Sequence, residues 1–176
     1  MFTFRKLIFI IACFILGTAS VYAEPEPFGI KIKETDINDI KSKYKFKDAG
    51  VNQYSQGKMI DLKPTQLNFQ GLKNIRLIFG EDGKVLAVLT VIDKSRYNDL
   101  LDMLSNKYKL ISKNGAFVGD MNAEFEDDNT KIFMEAPHLS FNLNLNYIHN
   151  NLYQSYIKQS QEKTKQEKTK QEMGKI

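Results

Sequence analysis

Leu72-Lys73-Asn74-Ile75-Arg76-Leu77-Ile78-Phe79 and Val85-Leu86-Ala87-Val88-Leu89-Thr90-Val91-Ile92, joined by Gly80-Glu81-Asp82-Gly83-Lys84, decide the fold. Both runs are rich in β-branched residues, which suit a pleated surface, and the connection carries a glycine able to take positive φ. The pair reads as a β-hairpin. Its second run is apolar on both faces, with Val85, Ala87, Leu89 and Val91 on one and Leu86, Val88 and Ile92 on the other. A strand dry on both sides belongs in the interior of a sheet.

Toward the amino terminus, Gln53 to Leu62 reads as a further strand closed by Pro64, preceded by a helix in which Ile37, Ile40 and Tyr44 form one apolar stripe. Thr35 or Asp36 caps that helix, which ends before Gly50, and Glu24-Pro25-Glu26-Pro27 is a stiff lead-in to a domain starting near Phe28. Toward the carboxyl terminus, Asp93 or Ser95 caps a second helix whose buried face is Tyr97, Leu100, Leu101, Leu104 and Tyr108. Three strands follow: Met121, Ala123 and Phe125 alternate with polar residues, then Ile132, Met134 and Ala136, then Phe141, Leu143, Leu145 and Tyr147 against a row of asparagines. The last has one dry face and one wet face. Asp127-Asp128-Asn129 makes the intervening turn.

These elements predict an α+β fold: two helix-plus-three-strand antiparallel units packed together, with a short C-terminal helix and a polar tail. Residues 24–157 form one domain, with 28–92 and 93–149 as candidate tandem halves, because Ile37 to Lys45 is echoed by Leu101 to Lys109. Leu89 and Leu104 are expected to meet where the second helix covers the sheet. The tail, 158–176, repeats Gln-Glu-Lys-Thr-Lys and has almost no apolar residues, which predicts disorder or a fraying helix.

Arg5 and Lys6 precede the apolar run Leu7 to Leu16, and Val21-Tyr22-Ala23 supplies the small residues of a signal-peptidase site, so cleavage between Ala23 and Glu24 is expected. The run is too short to span a bilayer. A lipoprotein cut before Cys13 is the weaker alternative. Cys13 is the only cysteine, so the exported chain has no thiol or disulfide chemistry. The formal charge of +4 resides outside the domain: residues 24–157 carry 17 basic and 18 acidic groups, which argues against a nucleic-acid partner.

The element order from Phe28 to Tyr147, with Gly29 and the helix opening Thr35 to Ile40, resembles the β-lactamase inhibitor proteins and the small lipoprotein of the outer-membrane barrel-assembly machinery. The chain departs from the first in lacking disulfides and from the second in lacking a mature-terminal cysteine. The resemblance implies a protein that binds other proteins.

No phosphate-cradling loop, nucleophile elbow or zinc-protease motif is present. His138 follows Glu135-Ala136-Pro137 and His149 follows Tyr147-Ile148, placing the two imidazoles at opposite ends of one strand, the first in a loop and the second on the surface. Asp120, Glu124, Glu126, Asp127 and Asp128 lack the spacing of a calcium loop. Tyr147, Tyr153 and Tyr156 are the candidate contact residues. The expected function is that of an exported binding protein, periplasmic or secreted, acting without a cofactor on another envelope or secreted protein. The alternative is a hydrolase-like or metal-assisted enzyme using His138 and Glu135.

Overall fold

The computed structural model describes residues 24–115 and 119–174. The expected leader, its cut after Ala23 and Cys13 lie outside the described residues.

A single eight-stranded antiparallel sheet organises the chain. The amino-terminal segment leads into α1 (Ile37–Lys43), then β1 (Phe46–Val51), β2 (Gln56–Leu62), β3 (Leu72–Gly80) and β4 (Val85–Asp93). There follow α2 (Tyr97–Lys107), β5 (Lys109–Gly115), β6 (Met121–Asp127), β7 (Thr130–Ala136), β8 (Asn142–His149) and α3 (Asn150–Met173). The spatial order is β1-β2-β3-β4-β8-β7-β6-β5, so two four-stranded meanders join through β4 and β8.

This overturns the two helix-plus-three-strand units. α1 and α2 each precede four strands, and all eight strands share one sheet. The missed strands are β1 and β5, the two edges, where six and seven residues bury no side chain. An edge strand with both faces wet has no alternation of polarity to read. The C-terminal helix is also long, at 24 residues, because glutamine, glutamate and lysine favour helix and Leu152 docks its first turn.

The hairpin forms around β3 and β4, with Gly83 at φ 75° in its turn, and β4 lies between β3 and β8. Asp36 caps α1 in a capping box with Asp39, and Asp93 accepts from the Ser95 backbone before α2. Tyr44 and Tyr108 close the two helices alike, in extended backbone with their N–H donated to Ile40 and Leu104 respectively.

One sheet face holds the main core, where Ile75, Leu77 and Phe79 of β3, Phe125, Ile132, Met134 and Leu143 pack with α1, α2 and the amino-terminal Ile30 and Ile32. The other face has a smaller cluster of Ile78, Leu86, Ala87 and Leu152 under the start of α3. Leu104 belongs to the first cluster and Leu89 flanks the second, so the two leucines lie on opposite faces instead of meeting. A strand apolar on both sides gives no sign of which face its helix covers. Phe141, expected on the dry face of β8, precedes the strand and stands exposed.

Candidate interaction surface

Antiparallel pairing sends alternate side chains of every strand to the face opposite α1 and α2. Asp61 of β2, Arg76 of β3 and Leu89 of β4 therefore lie in one row with Asn146 of β8 and Phe133 of β7, since Asp61 pairs with Arg76, Arg76 with Leu89, Leu89 with Asn146 and Asn146 with Phe133. The row crosses the centre of the sheet. Arg76 grips Asp61 with two hydrogen bonds of 2.7 and 2.9 Å, and this donor pair holds the Asp61 carboxyl below its usual range. Both groups remain in part exposed, so the pair contributes orientation more than stability.

Beyond Phe133, Lys131 bonds the Glu124 carboxylate at 3.1 Å and stands 5.6 Å from the Tyr153 ring. The Glu124 hydrogen bond raises the Lys131 ammonium above its ordinary value. Tyr153 packs on Phe133 at 5.6 Å, and Tyr156 meets Tyr54 edge to face at 5.2 Å. Between α3 and the sheet lies a cleft of about 280 Å³, lined among others by Tyr54, Ile78, Leu89, Tyr153 and Tyr156. Its lining is almost wholly apolar. Of the acidic stretch read from the sequence, Glu124 and Glu126 face Lys131 on this surface, whereas Asp120 accepts the His138 N–H and Asp127 and Asp128 lie at the β6–β7 turn.

Of the candidate tyrosines, only Tyr153 and Tyr156 share this surface. Tyr147 points into the main core, buried against Tyr108 at 6.2 Å, and burial together with the neighbouring Tyr108 pushes its hydroxyl far above the usual range. Beside it a second cleft opens under α2, lined by Phe28, Phe69, Met103 and Tyr108 among others.

Glu135 is exposed on β7, paired with Asn122 and Asn144 on the flanking strands. His138 is exposed in the turn after Pro137, its backbone N–H donated to Asp120 at 2.7 Å. Neither residue lines the cleft between α3 and the sheet or the one under α2. Among the described residues, no group of three acidic, histidine or cysteine side chains stands close enough to hold a metal ion.

His149 is buried instead of lying on the surface. Its Nδ1 accepts the Asn151 N–H at the start of α3, leaving Nε2 to face Glu24 at 3.4 Å, while Glu24 also accepts the Thr130 hydroxyl at 2.6 Å. Thr130 is fully buried and sits opposite His149 in the β7–β8 register. This cluster ties the entering chain to the sheet and to α3. Nothing in the sequence links residues 24, 130 and 149, because their meeting depends on β7–β8 pairing.

The chain matches no family model, no curated protein and no solved structure.

Proposed function

We propose that this is an exported interaction protein that binds another envelope or secreted protein through the sheet face opposite α1 and α2. One observation supports this reading above the rest: α3 covers only part of that face, leaving Arg76, Leu89, Asn144 and Asn146 half-exposed across β3, β4 and β8. Protein interfaces are enriched in arginine and aromatic residues, and side chains already held by neighbours lose little freedom on binding. The Arg76–Asp61 fork and the Phe133–Tyr153 stack are held in this way.

Asn144, in the middle of β8 on this face, tests the proposal. The processed protein should capture a partner from its own envelope fraction, and Asn144→Arg should abolish capture with the thermal midpoint unchanged. Capture that survives Asn144→Arg would move the interface elsewhere.

A further inference from the structure

Two side chains stand out from every other apolar group on the surface. Leu139 is 93% and Phe141 88% exposed, whereas the remaining exposed large hydrophobic residues among those described lie between 41 and 61%. Both belong to the turn between β7 and β8, at the end of the sheet away from Glu24 and the start of α3.

Flexibility does not account for their exposure, because the turn is braced along its length. Lys94 donates its ammonium to the carbonyls of Pro137 and His138 and its backbone N–H to Phe141 at 3.0 Å. Lys73 bonds the Phe141 carbonyl at 3.2 Å and the Asn142 side chain at 2.8 Å. The Ser140 N–H bonds the Pro137 carbonyl, and the Ser140 hydroxyl accepts from the Asn142 backbone. Every one of these bonds engages backbone or polar groups, so the two apolar side chains are left pointing outward with nothing to cover them.

We propose that this turn is a membrane-contact tip, with Leu139 and Phe141 entering the headgroup and acyl boundary of a lipid bilayer while Lys73 and Lys94 stay at the level of the lipid phosphates. Exposed apolar side chains of this kind mark an interaction site. The shape favours a fluid partner, because a convex pair backed by cations lacks the flat surrounding rim that excludes water from a protein hot spot. The charges fit as well. The Lys94 ammonium has carbonyl partners and no carboxylate among the described residues, while Lys73 shares Asp93 at 3.4 Å and Asp120 is turned to the His138 N–H. Apolar insertion therefore supplies most of the attraction, with anionic lipid adding to it. The contact is peripheral and reversible, and it is independent of the sheet-face reading.

The chain contains no tryptophan, so Phe141→Trp places a single reporter on the tip. With the protein as recovered after export, phosphatidylcholine vesicles should shift that emission to the blue and brominated acyl chains should quench it, more strongly when phosphatidylglycerol is included. Co-sedimentation of the otherwise unaltered protein with the same vesicles should fall roughly tenfold or more in Leu139→Ser/Phe141→Ser. The far-ultraviolet dichroism and thermal midpoint of that variant should be unchanged. Emission that stays put at millimolar lipid, or co-sedimentation indifferent to the double substitution, would overturn the proposal. So would loss of capture of a partner protein by the double variant without any vesicle binding by the parent, since the tip would then be a protein anchor.

Discussion

At His149 one side chain performs two tasks, closing the first turn of α3 through Nδ1 and facing the Glu24 carboxylate through Nε2. Burial disfavours the imidazolium more than Glu24 favours it, so His149 titrates below its ordinary 6.5. The unfolded chain then takes up this proton before the folded one does. The resulting stability is complete above about pH 6.5 and is lost as pH falls through the lower folded-state value. His149→Asn keeps an acceptor for the Asn151 N–H and removes the titration, so urea denaturation between about pH 7 and 6 should show a smaller loss than in the parent. An equal loss in both would assign the acid sensitivity to carboxylates. The leucines make a second residue-scale contrast: Leu104→Ala should cost about 2–5 kcal/mol, Leu89→Ala less, and exposed His138→Ala within about 0.5. Periodicity marked Leu89 and Leu104 as buried but could not assign them to a face, because β4 is apolar on both sides. His149 was illegible for another reason, since histidine is common on surfaces and its partner lies 125 positions earlier.

The elements most plainly written in the sequence are those that bury one face. The β3–β4 hairpin, α2 and the alternation of β8 all follow from apolar spacing, whereas β1 and β5 bury no side chain and carry no such signal. Lysines 47, 109 and 113 on those edges are the usual guard against pairing with another chain. Within β2, Gly57 fits where no other residue would, because a Cβ there would stand 2.0 Å from the Phe79 carbonyl oxygen. The obstacle is backbone and cannot step aside. Gly57→Ala should therefore destabilise by roughly 3 kcal/mol or more, read from the denaturation midpoint, and a neutral result would mean that the β2–β3 register can slip. For α3 the legible part was Leu152 and the two tyrosines; the polar repeat offers helix formers but no face. Truncation after Ser160 should lower helical dichroism without moving the thermal midpoint, while removal of Leu152 with all that follows should lower it by uncovering Ile78 and Ala87. A midpoint that falls on the shorter truncation would show the distal helix to be docked.

Across the whole molecule, the entering chain and α3 meet at one end of the central strands and the Leu139–Phe141 tip occupies the other, with the open face between them. The first end is closed by Glu24, whose side chain is 11% exposed, accepts the Thr130 hydroxyl and faces the His149 Nε2. This gives the expected cut after Ala23 a structural consequence: a chain starting at Glu24 retains the clasp, and one starting at Pro25 loses it. Glu24→Ala leaves the buried Thr130 hydroxyl and the His149 Nε2 without their partner, an omission that costs about 1–3 kcal/mol for a buried polar group. Glu26, two residues on, is exposed and makes no such bond, so Glu26→Ala is the matched control. Chemical denaturation should show a clear loss for Glu24→Ala and none for Glu26→Ala, and the intact mass of the exported protein should correspond to a start at Glu24. Equal stability in both variants would mean that the lead-in is held by Pro25, Ile30 and Ile32 alone, and a diacylglycerol mass on Cys13 would place the cut upstream and the protein on a membrane through its terminus.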